Sequence, residues 1–236
     1  MSQPPIRPIS TRSALLTLLI GGPLDVDGLE GAQLVRFGEG LGISESTVRV
    51  ALSRMLTSGD LVREGSTYLL SDRLRTRRDR QRAVLQPTVK RWRGDWELVV
   101  VTQTGRSAAD RAALREQLST LRLAELREGV WMRPDNLSRS WDDEAVERLV
   151  VRAPDDPARL VEALWDLTGW VARGDEILAA VDNAPNYGAR FAACVAGVRH
   201  LMTDPALPAE LRPREWPAAP IRAAYDESLS WMTSLM

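Results

Sequence analysis

The sequence predicts an α+β protein in three parts: a winged helix-turn-helix unit, a small ferredoxin-like sandwich and a helical C-terminal region. Three observations carry this. Residues 11–70 show three short helical patterns followed by a hairpin signal; residues 96–167 run strand, helix, strand, strand, helix; beyond Trp165 only helical patterns recur. A chain of 236 residues is long enough for one substantial core or two to three small ones. The expected boundaries are 1–70 for the winged helix, 71–93 for a basic linker helix, 94–165 for the sandwich and 166–236 for the helical region.

In the first part, Ser13 to Ile20 is a short helix with Leu15, Leu18 and Leu19 on one side, and Pro23 to Gly28 is a loop. Leu29 to Glu39 offers Leu34, Val35 and Phe37 to a core and breaks at Gly40-Leu41-Gly42. Ser44 is a good N-cap for a third helix, in which Val48, Leu52, Met55 and Leu56 recur at the spacing of one buried stripe. Ser58-Gly59-Asp60 ends it. Leu61 to Arg63 and Thr67 to Leu70 are short strands joined by Glu64-Gly65-Ser66, with the turn glycine in place. Residues 71–93 follow as a helix ending near Pro87, with a thin apolar seam of Leu74, Val84 and Leu85.

In the second part, Trp96 to Thr102 is a continuous apolar run suited to a buried strand. Ser107 to Leu121 is an amphipathic helix with Ser107 as cap and Leu114, Leu118 and Leu121 on one face. Gly129 to Met132 is a strand turned by Arg133-Pro134-Asp135-Asn136, Arg148 to Arg152 another, and Pro157 to Leu167 a helix. The remaining helical patterns run to about Val181, from Tyr187 to Met202 and from Ile221 to Leu235. A loop holding Pro205, Pro208, Pro213, Pro217 and Pro220 lies between the last two.

Composition excludes several functions. The single cysteine, Cys194, allows no intrachain disulfide and no cysteine metal cluster, and the single histidine, His200, allows no multi-histidine metal site. Cys194 reads as an inert core thiol and His200 as a packing or helix-surface residue. No cofactor is expected. The start MSQPPIRPIS lacks a secretory layout, and the most apolar stretch, Ala14 to Ile20, is far shorter than a membrane span, so the expectation is a cytoplasmic protein. Net charge is −1, yet residues 1–93 carry 15 basic against 9 acidic groups and residues 94–236 carry 16 against 23. A basic N-terminal part suggests a polyanion-binding module attached to something else.

The third helix gives that module a target. With its stripe buried, Ser46, Thr47, Arg49, Val50, Ser53 and Arg54 face outward, and the turn Gly40-Leu41-Gly42-Ile43 precedes it where a helix-turn-helix needs a tight reversal. Short polar side chains reach base edges in a major groove, and arginine bonds guanine in two places. Ser44, Arg63 on the hairpin, and Arg77 and Arg78 on the basic helix complete the candidate DNA contacts. Those on the basic helix would bind phosphates without reading sequence.

These residues resemble a known family. GISESTVRVALSRMLTSGDLVRE at 42–64, WRGDWELVVV at 92–101, GVWMRPDNL at 129–137 and DPALPAELRPREWP at 204–217 are similar, in order, to the PaaX family of bacterial transcriptional repressors. The resemblance implies a winged helix, a central ferredoxin-like domain similar to Cas2, and a helical C-terminal domain. It also implies a homodimer on an inverted-repeat operator, repressing genes of aromatic-acid catabolism such as that of phenylacetate. Release by a small effector, an acyl-CoA thioester like phenylacetyl-CoA, comes with it. Arg49 and Arg54 fall in the family's VRxALSR stretch, and Ser44 at the start of its recognition helix. The chain departs from the pattern at Ala218, where a glycine is expected, and in a short turn between Val62 and Thr67.

Two other readings compete. A Cas2-like nuclease would need carboxylates at the end of the first central strand to hold a cation. That strand ends Val101-Thr102-Gln103-Thr104, and Asp95 sits at its other end, so the protein is not expected to be an enzyme. Asp142-Asp143-Glu144 and Asp155-Asp156 read as first-turn charges of helices. A ligand-independent architectural DNA-binding protein would lack an effector pocket. A CoA-type ligand calls for arginine beside aromatic surface, and Trp131 with Arg133, Trp141 with Arg139, and Tyr187 with Arg190 are the candidate pairs.

Overall fold

The computed structural model describes residue 6 and residues 8–21, 28–152 and 156–235, without the side chains of Arg80, Ala83 and Val84. In chain order its elements are α1 (Thr11–Gly21), β1 (Gly28–Glu30), α2 (Gly31–Gly40), α3 (Glu45–Thr57), β2 (Leu61–Glu64), β3 (Thr67–Leu70) and α4 (Asp72–Leu85). There follow β4 (Asp95–Val101), α5 (Ala108–Thr120), β5 (Ala124–Arg127), β6 (Val130–Pro134), β7 (Val146–Arg152), α6 (Pro157–Leu164), α7 (Leu167–Asp182), α8 (Tyr187–Leu201) and α9 (Ala218–Ser234). They form two compact units. One comprises Met1–Leu85, Arg173–Met202 and Pro217–Met236; the other comprises Gln86–Ala172 and Thr203–Trp216.

The first unit is a winged helix whose core is completed by helices from the far end of the chain. Leu15, Leu34, Phe37, Leu52 and Met55 share one apolar cluster with Val181, Phe191, Val195, Tyr225 and Met232. Phe37 meets Phe191 edge to face, ring centres 5.6 Å apart, a geometry aromatic quadrupoles favour. Helix α8 is buried nearly all round from Phe191 to Val198, which explains the unbroken run of small and apolar residues there. Cys194 lies within it, and burial pushes its thiol pKa up.

Leu29, expected in a helix, lies in β1, an added strand on the hairpin in the order β1-β3-β2. Three residues are too few for a periodic signal. Gly28 is required there, because a Cβ would come 2.7 Å from the Tyr68 carbonyl oxygen on β3. Helix α2 therefore starts only at Gly31, behind a capping box between Glu30 and Gln33. Of the expected Pro23–Gly28 loop, Pro23 to Asp27 lie outside the described residues.

The second unit is an antiparallel sheet in the order β5-β6-β4-β7, the strand order of a ferredoxin-like fold. On one face α5 buries Leu114 and Leu118 over Val99 and Trp131. On the other, Trp96 and Met132 pack with Val161 of α6 and with Leu207 and Leu211. Strand β5 carries no clear sequence signal because AELR is only four residues long and half of them are charged. Arg133 and Pro134, expected in a turn, still belong to β6 and pair with Glu97 and Trp96 of β4. Asp142, Asp143 and Glu144 start no helix: Asp143 accepts the Ala145 N–H at 2.9 Å, leading into β7. Asp156 does cap α6, accepting from the Arg159 N–H; Asp155 lies outside the described residues. The last expected helix of this part stops at Leu164, where Trp165 turns to extended backbone.

Candidate nucleic-acid interface

Helix α3 is held from both ends and from beneath. At its start the Ser44 hydroxyl accepts the Thr47 N–H at 3.3 Å, and the Ser46 and Thr47 hydroxyls lie 3.1 and 2.8 Å from it. Gly42, in the preceding turn, has φ of +78°, which favours glycine. Underneath, Val48, Leu52 and Met55 are buried. A Cβ on Gly38 of α2 would sit 2.4 Å from Cγ2 of Val48, so a glycine there sets how closely the two helices approach.

At the far end a buried carboxylate replaces packing. Asp60 is 2% exposed and accepts from Arg12 of α1 at 2.7 Å, from Ser58 at 2.8 Å and from Arg73 of α4 at 2.8 Å. Burial pushes its pKa up, but the Arg12 and Ser58 hydrogen bonds and the Arg12 and Arg73 charges outweigh that and hold it below the ordinary value. This clamp was missed from sequence, where Asp60 read only as a helix terminator.

What α3 presents is the outward face the sequence defined. Ser44, Ser46, Thr47, Arg49, Val50, Ser53 and Arg54 are all exposed, Val50 by half. Arg49 is steadied along the face by Glu45, at 2.7 Å. On the wing, Arg63 donates to the Gly65 carbonyl at 2.8 Å and lies over the Tyr68 ring at 5.6 Å, which fixes a cation at the hairpin tip.

The basic helix is less uniform than its sequence. Leu74 is buried in the core, Arg73 belongs to the Asp60 clamp, and Arg75 pairs with Asp72 at 3.2 Å. Arg77 is exposed, whereas Arg78 is half-buried and lies 3.5 Å from the Asp79 carboxylate.

The effector candidates fall into different environments. Trp131 is in the core under α5. Arg133 is fully buried, and its five N–H groups meet five acceptors: the carbonyls of Pro134, Arg122, Pro205 and Ala206, and Asn136 Oδ1. Arg122 and Ala206 are the described non-glycine residues with positive φ, +61° and +49°, and both turn their carbonyls to this guanidinium. Burial lowers the Arg133 pKa to about 9, with the neighbouring Arg139 adding to the shift, which leaves it charged at neutral pH. Arg139 and Trp141 do come together, through buried Glu97: Arg139 donates at 2.6 Å, the Trp141 indole N–H at 2.8 Å and Arg148 at 2.7 Å. Tyr187 is exposed and stacks on Trp231 at 4.4 Å, while Arg190 pairs with Glu227 at 2.6 Å. Glu97 and Arg148 had no sequence signal, since only the pairing of β4 with β6 and β7 brings their partners across.

An exposed recognition helix on a winged-helix scaffold, followed by a ferredoxin-like domain, defines a DNA-binding transcription regulator. The profile of PaaX-like protein matches residues 10–74, and that of the PaaX protein central Cas2-like domain matches residues 89–153. The solved structure of the uncharacterized protein Rv0674 from Mycobacterium tuberculosis is 42% identical, covering 96% of this chain and 97% of its own, with a TM-score of 0.84. No curated protein matches. The chain belongs to the PaaX family, whose members are transcription regulators that bind DNA. Among the described residues, no cluster of three or more acidic, histidine or cysteine side chains could hold a metal ion, and no helix is long and apolar enough to cross a membrane.

Proposed function

We propose that this protein is a cytoplasmic repressor of an aromatic-acid catabolic operon. It acts as a homodimer on an inverted-repeat operator and is released by a small acid or its CoA thioester, such as phenylacetyl-CoA. The observation that carries the DNA half of this reading is the α3 face: exposed Ser44 at its N-cap and six exposed residues on the helix, two of them arginines, opposite the buried Val48, Leu52 and Met55. Arg49, Arg54 and Val50 read base edges, Val50 offering an apolar contact to a thymine methyl. The hydroxyls of Ser44, Ser46, Thr47 and Ser53 and the guanidiniums of Arg63, Arg77 and Arg78 engage the backbone and flanking groove.

Two such helices in a dimer meet successive major grooves about 34 Å apart. An effector releases DNA only by binding the DNA-free arrangement more tightly. Of the residues expected to bind it, Trp141 beside Arg139 in the ferredoxin-like unit and, separately, Tyr187 in the winged-helix unit keep solvent access, whereas Trp131 and Arg133 are buried and Arg133 spends its donors within the fold.

The test is fluorescence anisotropy on DNA from upstream of the protein's own gene, at two salt concentrations against scrambled competitor, with and without phenylacetyl-CoA. Specific binding released by the thioester is the expected result. Specific binding that ignores it would retain the DNA half and reject this effector. No specific binding at either salt would reject the operator.

A further inference from the structure

The winged-helix unit holds a cavity of about 550 Å³ that the DNA-binding reading does not use. That volume lies within the range of small-molecule sites. Leu41 and Ile43, from the turn before α3, form one wall, and Ala189, Ala192 and Ala193 of α8 form another. Ile9, just ahead of α1, adds a third. Small side chains on α8 leave the space open. At its edge Gly188 lets the first turn of α8 run against the helix-turn-helix turn, since a Cβ there would come 3.0 Å from the Leu41 carbonyl oxygen.

Among the described residues that line it, none is charged and none is aromatic, so the cavity offers neither a counter-ion nor a ring to stack on. Its polar side chains are two exposed asparagines in the loop that joins α7 to α8. Each has half of its amide committed to the main chain. Asn183 Nδ2 donates to the Ala179 carbonyl at 2.7 Å. Asn186 Oδ1 accepts the Ala189 N–H at 2.9 Å as the N-cap of α8. These bonds fix which way both amides point. What remains is one acceptor, Asn183 Oδ1, and one donor group, Asn186 Nδ2, and neither has a partner among the described residues.

We infer that this cavity binds an uncharged aliphatic molecule with an amide-like head, its chain lying against Leu41, Ile43 and the α8 alanines. The head donates its N–H to Asn183 Oδ1 and accepts from Asn186 Nδ2 at its carbonyl. A carboxylate is a poor substitute. It would find no counter-charge among the described lining residues, and it has no proton to share with the Asn183 oxygen. The inference goes beyond the repressor reading and does not rest on it, because the acid or thioester invoked there carries charge that this lining does not match.

The experiment is calorimetric titration of the full-length protein with octanamide, octanoate and N,N-dimethyloctanamide, repeated on Ala189→Leu and on Asn183→Ala. Octanamide should bind, and octanoate at least about tenfold more weakly. The dimethyl amide has no N–H and should be weaker by about three- to tenfold, the worth of one hydrogen bond. Asn183→Ala should abolish that difference with little change in melting temperature, since the side chain is exposed. Ala189→Leu fills the cavity and should lose at least about tenfold in affinity for octanamide. No heat from octanamide at millimolar concentration, octanoate binding as tightly, or unchanged affinity in Ala189→Leu would each overturn the assignment. So would a preference for octanamide over its dimethyl derivative that survives in Asn183→Ala. The titrations contain no DNA, so a failed operator test leaves their outcome untouched.

Discussion

Arginine is the dominant cation in both units, and the arginines of the α3 face and those around Arg133 sit in opposite surroundings. In the winged-helix unit Arg49, Arg54, Arg63 and Arg77 are exposed, Arg49 steadied by Glu45 and Arg63 by Gly65 and Tyr68. In the ferredoxin-like unit Arg133 is sealed from solvent with every N–H matched, and Arg139 and Arg148 converge on buried Glu97. The first set has donors to spare for a partner, whereas the second spends its donors on the fold. Composition counts these residues alike, and burial sorts them.

The largest test of this contrast is Arg133→Met. It leaves the carbonyls of Arg122 and Pro205 without the Arg133 donor, Ala206 keeping the Asn136 amide, and a loss of about 3–5 kcal/mol is expected. Urea unfolding reads it; a cost as small as a surface substitution would put Arg133 in the wrong class. Gly38→Ala is next. The 2.4 Å approach to Val48 forces α2 and α3 apart, with about 1–3 kcal/mol of destabilisation expected in a thermal melt and a parallel fall in DNA affinity.

Exposed arginines should behave in the reverse manner. Arg49→Ala is expected to cost about 1–3 kcal/mol of specific DNA binding while stability moves by no more than about 0.5 kcal/mol. Anisotropy beside a melt separates the two, and an unchanged operator affinity would remove Arg49 from the interface. Arg77→Ala should weaken binding to every sequence alike and reduce the salt slope by about one unit. An unaltered slope would leave α4 as scaffold.

Acid sharpens the comparison from inside the first unit. The Asp60 pKa is held below its ordinary 3.8 in the folded protein. The stability it contributes is therefore complete above that value and is lost as pH falls through the lower folded one. Asp60→Asn should be less stable than wild type at neutral pH, and the gap should narrow in urea titrations as pH drops below 3.8. A gap that stays constant with pH would mean the charge plays no part.

Much of the architecture was legible because it repeats at short range. The Val48, Leu52 and Met55 stripe, the Ser44 and Ser107 caps and the hairpin glycine each announce themselves within a few residues. The outward face of α3 follows from the same stripe, so the candidate DNA contacts could be placed before any fold was known. Strands β1 and β5 could not, because three or four residues carry no period and owe their form to pairing with β3 and β6.

By itself the sequence determined which face of α3 meets solvent, where the helices begin, and that the chain carries a basic winged helix ahead of a ferredoxin-like sheet. Only the tertiary structure decided that α8 and α9 complete the winged-helix core and that Asp60 joins α1 to α4. It also decided that Arg133 holds the residue 205–206 carbonyls. The physical reason is range. Periodicity and capping act over one or two turns of chain, whereas desolvation of a charge depends on partners such as Arg133 and Ala206, 73 residues apart, that only folding brings together.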